Sequence, residues 1–307
     1  MKKPRALKHK DRIALLAPAS RVAAPSIVKR AEAIVRHMGF EPVLGKNVLA
    51  THGYMAGSDE ERLHDLRAAL QDDTVSAIWC LTGGYGTLPL LSHLPYMQFA
   101  RAPKIVLGGD DISHLLLALS VKSGVVTFCG PNIDRVESKE AVESLKKALT
   151  SHEYAELCVR DGVVDGFCYA PVEGIGKGLT LPANLTALVS LFGTEYEPEL
   201  AGRILFLEDR RERNDILDRW LTTLYVSGKL SSVVAVAMGQ FENCDSRGAV
   251  NMLSFEELAV DRFVPMGLPC CFNFPFGQGL SSVLPIGIKA SIDTSTGKLH
   301  YLENVLT

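Results

Sequence analysis

Two adjacent aspartates stand at a bend between an apolar strand and a predicted helix, in the stretch VLGGDDISHLLLAL from Val106 to Leu119. A strand that turns over glycine into a helix is where many α/β hydrolases present a nucleophile, and Asp110 occupies this bend. An aspartate there can attack an electrophilic carbon, after which water must release the ester with the help of a histidine. His114 lies four residues later, on a neighbouring position of the same predicted helix face. The alternative interpretation makes His114 a partly exposed helix residue with no chemical role.

The elements that position this bend alternate between strand and helix. Apolar runs predict strands at 12–20, 40–45, 76–83 and 104–109, and helical spacing predicts helices at 26–39 and 59–72. The runs SAIWCLTG and KIVLGG are continuously apolar and closed by glycine, which is typical of strands covered on both faces. This alternation predicts a parallel, doubly wound sheet, with ligands at the carboxyl ends of its strands.

The second half of the chain has a different pattern. After a strand at 125–132 and a polar helix at 137–151, short β-like pieces fill 155–178. A helix at 185–193, a strand at 203–209, a helix at 216–230, a strand at 233–241 and a C-terminal hairpin then follow. We therefore predict an N-terminal α/β domain at 1–150 and a C-terminal mixed β/α domain at 151–307.

Composition excludes several classes of protein. The 307 residues suffice for two cores, and 47% hydrophobic against 22% charged residues exclude a disordered chain. A net charge of -3 without a dense basic stripe argues against nucleic acid as a main partner. No run of about eighteen apolar residues predicts a membrane span. The basic N-terminus runs into an apolar stretch, Ile13 to Pro18, too short for a secretory signal.

The cysteines predict a reducing compartment. Seven cysteines form an odd number without CxxC spacing, and several lie inside apolar segments. Reduced, mostly buried thiols in a cytoplasmic protein explain this usage. We expect neither a cofactor nor a metal.

Three segments together resemble the LD-carboxypeptidase family, serine peptidases of the S66 type that include murein tetrapeptide carboxypeptidases and microcin immunity peptidases. They are TGGYGTLPLL, then GGDDISHLLLAL with TFCGPN, and then NLTALVSLFGTEYEPELAGRILFLED with FNFPFGQGLSSVLPIG. The resemblance implies a flavodoxin-like or Rossmann-like N-terminal domain with a parallel sheet, a swivelling mixed β/α C-terminal domain, and a homodimer. It also implies a Ser-Glu-His triad that cleaves a murein-type peptide between an L-centre and a D-amino acid.

The resemblance places the family's serine on Asp110, its glutamate on Glu208 and its histidine on Gln278. Asp110 carries no hydroxyl to activate, and Gln278 cannot accept a proton as histidine does. Loss of triad members leaves only the residual catalysis of binding and the oxyanion hole. We therefore expect a protein that keeps the cleft for a peptide-like small molecule but lacks ordinary serine-peptidase activity.

The resemblance also indicates residues that bind substrate or an oxyanion, the glycine-rich turn through its backbone N–H groups. These are Gly83, Gly84, Tyr85, Gly86, Asp111 and Asn184. The chain departs from the family at Thr82, where arginine is usual, and at Pro182-Ala183, where two glycines are usual. The run Arg210–Arg213 is typical of solvated ion pairs.

Four alternatives stay open. Asp110 and Glu208 form a carboxylate pair that shares one proton and hydrolyses a peptide, amide or ester, with Gln278 between them donating to one acid. In the second alternative, Asp110, Asp111 and Glu208 hold a metal through oxygen ligands. Cys129 is a nucleophile, although no histidine is placed to activate it. In the fourth alternative, the chain is a regulatory or assembly subunit that pairs with an active homologue.

Overall fold

The computed structural model of the chain describes residues 1–151, 157–158, 169–244, 253–278 and 280–307, which form two sheets of six and eight strands. Most of the β-like pieces predicted before residue 169 lie outside the described residues. No helix in the described ranges is long and apolar enough to cross a membrane.

The first sheet is built by the N-terminal half. Its parallel strands are β1 (Arg12–Leu16), β2 (Glu41–Leu44), β3 (Val75–Cys80), β4 (Ile105–Gly108) and β5 (Phe128–Cys129). They lie in the order β2-β1-β3-β4-β5, which is the flavodoxin-like order. The helices between and after them are α1 (Pro25–His37), α2 (Asp59–Gln71), α3 (Tyr96–Arg101), α4 (Ile112–Ser123) and α5 (Lys139–Thr150). The predicted parallel-sheet fold of this half is confirmed.

Helix α4, which follows the bend at Asp110, is buried in the interior. Its nine residues from Ile112 to Ser120 are all buried, so the helix runs through the interior rather than over the surface. It ends at Gly124, whose φ of 67° is the left-handed conformation that glycine adopts without strain. The start of α4, which follows Asp110, is therefore fixed by packing.

The second sheet is mixed. The remaining strands are β6 (Leu157–Cys158), β7 (Tyr169–Val172), β8 (Ile175–Asn184), β9 (Arg203–Arg210), β10 (Ala235–Glu242), β11 (Cys270–Phe272), β12 (Leu284–Pro285), β13 (Lys289–Asp293) and β14 (Lys298–Tyr301). The eight-stranded sheet has the order β6-β14-β13-β8-β9-β10-β11-β7, parallel from β8 to β11 and antiparallel outside them. Three helices accompany it, α6 (Leu185–Ser190), α7 (Asn214–Val226) and α8 (Phe255–Phe263). The predicted mixed fold of this half is confirmed.

The end of the chain returns to the first sheet. Strand β12 pairs antiparallel with β5 as the sixth strand of that sheet. Val305 and Leu306 are buried in the same apolar cluster as Ile13 and Leu15 of β1. The carbonyl of Thr307 accepts a hydrogen bond from the N–H of Ala6 at 2.9 Å. The two halves of the sequence therefore share a core.

Candidate functional site

Asp110 lies at the carboxyl end of β4, at the sharp turn into α4. Its φ of 58° is left-handed, a conformation that aspartate tolerates better than most side chains. The preceding Gly109 is required by close approach, because a Cβ there would overlap Nε2 of Gln278. Oδ2 of Asp110 accepts a hydrogen bond from the backbone N–H of Gly84 at 2.9 Å. The bend therefore brings Asp110, Gly84 and Gln278 to one place.

The environment of Asp110 favours its protonated form. Burial raises the pKa of its carboxyl to about 7, and the nearby charges of Asp111 and Asp209 act in the same direction. The N–H of Gly84 and the charge of Arg210 oppose this increase. At neutral pH a large fraction of the molecules therefore carries a neutral Asp110 that can donate a hydrogen bond.

The glycine-rich turn after β3 is held by polar contacts. A Cβ at Gly84, whose φ is 95°, would overlap Oγ of Ser20, and that oxygen accepts the N–H of Tyr85 at 3.0 Å. The buried guanidinium of Arg62 donates to the carbonyls of Pro18, at 2.7 Å, and of Gly86. The ring of Tyr85 is exposed. The turn thus presents the Gly84 N–H to Asp110, while its binding of a substrate stays a prediction.

Glu208 lies on β9 with 1% of its surface exposed, paired in register with Asn184. Its Oε1 has no hydrogen-bond partner within the described ranges. Burial raises its pKa well above the ordinary value, and the charges of Asp110 and Asp209 add to this effect. The side chain of Asn184 and the N–H of Asp110 oppose it. Glu208 is therefore coupled electrostatically to Asp110.

Asn184 joins three parts of the site. Its Nδ2 donates to Oδ1 of Asp209 at 3.0 Å, and its Oδ1 accepts the N–H of Ala187 at the start of α6. Its own N–H donates to Oγ of Ser113 on α4 at 3.0 Å. Asn184 therefore links the second sheet to the helix that follows Asp110.

Gln278 is buried, and among the described residues its amide bonds to neither acid, in contrast to the bridging position in the carboxylate-pair alternative. Oε1 accepts from N and Nδ2 of Asn132, at 3.2 and 3.1 Å, and Nε2 lies 3.4 Å from the carbonyl of Gly130. Buried backbone groups need hydrogen-bond partners. The amide of Gln278 supplies them for the carbonyl of Gly130 and the N–H of Asn132, which follow β5. Sequence reasoning missed Asn132, although it follows the motif residues Gly130 and Pro131 directly.

Asp111 and His114 form a separate network. Oδ2 of Asp111 accepts from N and Oγ1 of Thr87 at 2.8 and 2.7 Å, and Oδ1 lies 3.2 Å from Nδ1 of His114. Nε2 of His114 lies 2.6 Å from Oγ of Ser190 on α6. Burial raises the pKa of Asp111, but hydrogen bonds from His114 and Thr87 outweigh it and lower that pKa overall.

Both interpretations of His114 are therefore wrong. The residue is 6% exposed, so it is buried, and its side chain faces Asp111 instead of Asp110. The physical reason is the left-handed φ of Asp110, which precedes the first helical residue, so helical spacing does not apply to it.

A cavity of about 340 Å³ opens over Asp110. Gly83, Gly84, Asn132 and Gln278 share its wall with Asp110. Four arginines also line it, namely Arg21, Arg135, Arg210 and Arg211. Sequence reasoning treated the last two as part of a solvated run, because the sequence does not show that β9 ends beside Asp110.

Two of the alternative chemistries lack support in the structure. Within the described residues, no group of three or more His, Cys, Asp or Glu side chains is arranged to hold a metal. Cys129 is buried, and burial raises its pKa, which keeps the thiol protonated and a poor nucleophile.

Comparison with known proteins covers most of the chain. Residues 13–130 match the LD-carboxypeptidase N-terminal domain and residues 177–292 the LD-carboxypeptidase C-terminal domain. The chain is 32% identical over 302 residues to the probable murein peptide carboxypeptidase of Bacillus subtilis, covering 95% of this chain and 92% of that protein. It is 31% identical over 298 residues to the murein tetrapeptide carboxypeptidase of Pseudomonas aeruginosa, covering 92% and 93%.

A solved structure agrees in fold. The microcin C7 self-immunity protein MccF, in complex with aspartyl sulfamoyl adenosine, has a TM-score of 0.88 at 24% identity, with all of both chains covered. The two domain matches and the relatives above 30% identity together identify the family. The chain belongs to the LD-carboxypeptidase family, peptidase family S66.

Proposed function

We propose that this protein binds a murein-type peptide in the cavity over Asp110 and does not hydrolyse it by serine-peptidase chemistry. The observation that carries the proposal is the identity of two neighbouring residues, Asp110 and Gln278. Asp110 occupies the left-handed turn, and Gln278, beside it, directs its amide to Asn132 and Gly130. Neither a hydroxyl nucleophile nor a proton-accepting partner stands at these two positions.

The chemical reason is the requirement for an activated nucleophile. A hydroxyl attacks a peptide carbonyl only when a neighbouring base takes its proton, and a neutral amide has no capacity for that proton. We assign Asp110, Glu208 and Gln278 to the three positions of the family's triad on the motifs that surround them. Because the serine and histidine positions are both changed, the acyl-enzyme route lacks its nucleophile and its general base.

The charge of the cavity supports an anionic group as the bound end. Its four arginines face two acids, Asp110 and Asp134. Arg21 and Arg211 have no ion-pair partner in the described part of the chain. A positive cavity in a chain of net charge -3 concentrates anionic ligands, and guanidinium pairs well with carboxylate. A peptide with a free terminal carboxylate has this chemistry.

Relatives support the ligand class. Two relatives carry the names murein peptide carboxypeptidase and murein tetrapeptide carboxypeptidase, and MccF binds aspartyl sulfamoyl adenosine. For this chain we infer the binding of such a peptide but not its hydrolysis.

Calorimetric titration with a murein tetrapeptide tests the binding. We expect saturable binding that Arg21→Glu weakens by about tenfold or more, because this substitution reverses a charge at the cavity. The control Arg101→Glu reverses an exposed charge outside this cavity and should leave the affinity unchanged. Absence of binding to the unaltered protein would refute the proposal.

A second candidate function is hydrolysis by a carboxylate pair. The raised pKa values of Asp110 and Glu208, and the coupling between the two acids, favour it. If peptide hydrolysis is detected, Asp110→Asn and Glu208→Gln should each abolish it. Activity that survives both substitutions would remove this candidate.

We also propose a homodimer in the cytoplasm, with a domain boundary near residue 150, as the family resemblance and the cysteines suggest. Cys80, Cys129, Cys244, Cys270 and Cys271 are free thiols. Light scattering of the purified protein should give twice the mass of 33.4 kDa, and a monomer mass would refute the dimer.

A further inference from the structure

A second, larger cavity lies beside the first. It has a volume of about 600 Å³ and opens at the carboxyl ends of β10 and β11, where Gln240 and Glu242 end one strand and Asn273 follows the other. These strands are parallel, and ligands of α/β sheets bind outside the carboxyl ends of parallel strands. The position alone makes the cavity a candidate binding site.

Asn214, at the start of α7, lines this cavity with an acceptor that is not used. The residue is 7% exposed, and its Nδ2 donates to the carbonyl of Leu253 at 2.9 Å. Its Oδ1 is buried and has no hydrogen-bond partner among the residues that the structure describes. A buried acceptor without a partner costs free energy, and a ligand that donates a hydrogen bond would recover it.

An ion pair forms the shared wall of the two cavities. Arg135 lines both, and its Nη2 lies 2.8 and 2.7 Å from the two carboxylate oxygens of Glu242, which lines the second. Nε of Arg210, from the first cavity, lies 3.0 Å from the same carboxylate. The two cavities therefore meet at this group of charged side chains.

The two cavities differ in charge. The first has four arginines against Asp110 and Asp134. In the second, Glu242 is already paired with Arg135 and Arg210, so Glu256 is the acid that remains for a ligand, and the amide oxygens of Asn214 and Gln240 are further acceptors. The first suits a carboxylate, and the second suits a cationic group that donates hydrogen bonds.

We propose that the second cavity is a subsite for an amino group of the peptide whose carboxylate occupies the cavity over Asp110. Oδ1 of Asn214 and the carboxylate of Glu256 accept its hydrogen bonds. The inference rests on the proposed function, because it needs a bound peptide. The amino group comes from a basic side chain or from the amino terminus of the peptide.

Calorimetry with matched peptides tests this subsite. The first is the tetrapeptide L-Ala-D-Glu-L-Lys-D-Ala, the second replaces lysine with norleucine, and the third carries an acetylated amino terminus. We expect one of the two modifications to weaken binding by about tenfold or more, since hydrogen bonds to a charged group are stronger than those between neutral groups. The norleucine peptide identifies a side-chain source, and the acetylated peptide identifies the amino terminus.

Two variants assign the effect to the cavity. Glu256→Gln and Asn214→Leu should reduce the preference for the amino-bearing peptide and leave affinity for the weaker peptide unchanged. Glu60→Gln is the matched control, because Glu60 is the exposed second residue of α2 as Glu256 is of α8, and both helices begin with a capping box. The Glu60 variant should keep the preference.

The outcomes separate the two proposals. Equal binding of all three peptides would overturn the subsite and leave the proposed function intact. A preference that persists in both the Glu256 and the Asn214 variants would also overturn the subsite. No binding of any peptide would refute the proposed function itself, and the subsite with it.

Discussion

At the scale of single residues, the chemistry of the site depends on two neighbouring acids whose pKa values are both raised. Burial raises the pKa of both Asp110 and Glu208, and the charge of Asp110 raises the pKa of Glu208 further. Because burial raises the pKa of Asp110 to about 7, its neutral form is available as a hydrogen-bond donor near neutral pH. Bound carboxylate ligands accept such a bond.

The raised pKa of Asp110 predicts a pH dependence of stability. Its folded-state pKa of about 7 lies above the ordinary value of 3.8, so the folded state holds the proton more tightly. This contribution is fully present below pH 3.8 and is lost as the pH rises toward 7. Asp110→Asn removes the titrating group, and asparagine tolerates the left-handed φ.

We therefore expect the stability of Asp110→Asn, relative to the unaltered protein, to increase between pH 4 and pH 7. Each pH unit between the two pKa values contributes at most about 1.4 kcal/mol. Urea unfolding across this range measures it. Asp73→Asn, at an exposed carboxyl, is the control. A stability difference for Asp110→Asn that does not change with pH would contradict the assigned pKa.

At the scale of elements, the glycine turn after β3 and the start of α4 form one unit. Thr87 at the end of the turn donates to Asp111 through its N–H and its hydroxyl, and Gly84 donates to Asp110. Arg62 fixes the same turn through the carbonyls of Pro18 and Gly86. The position of the Asp110 carboxyl therefore depends on the turn as much as on its own strand.

Gly84→Ala should destabilise the protein by about 2–4 kcal/mol, because left-handed strain adds to overlap with Ser20. Gly53→Ala is the matched control, since Gly53 has a φ of 61° and nothing within 4 Å of an added Cβ. It should cost only about 1–2 kcal/mol of strain. Denaturant unfolding of both variants measures the difference, and equal losses would show that Ser20 moves away freely.

The elements that the sequence predicts are those with strong periodicity. The runs around β3, β4, β9 and β10 are continuously apolar, and α2 begins with a serine and an acidic turn, which the structure has as a capping box. Helix α8, strand β11 and the two-residue β12 were not predicted, because short segments carry little periodicity. Contacts between distant segments, such as His114 with Ser190, have no local signal at all.

At the scale of the whole molecule, the chain closes on itself. Val305 and Leu306 pack in the core of the first sheet, and β12 extends that sheet, although both follow the second sheet in sequence. Hydrogen bonds from Asn184 to Ser113, and ion pairs from Arg135 to Glu242, also join the two halves. We therefore expect the two halves to unfold together.

Leu306→Ala should lower the free energy of unfolding by about 2–5 kcal/mol, since the side chain is 1% exposed. The shared core predicts one calorimetric transition that moves to lower temperature. Leu302→Ala, at a side chain 59% exposed, should move it little. Two separate transitions, with only one of them affected by Leu306→Ala, would show that the halves are independent.

Release of D-alanine from a murein tetrapeptide tests the central claim most directly. The unaltered protein and the double variant Asp110→Ser with Gln278→His are assayed side by side. We expect no release by the unaltered protein, and release by the double variant, which supplies a hydroxyl and an imidazole at the two changed positions. Turnover by the unaltered protein at about 1 per second or faster, the range of ordinary enzymes, would contradict the claim that its serine-peptidase chemistry is lost.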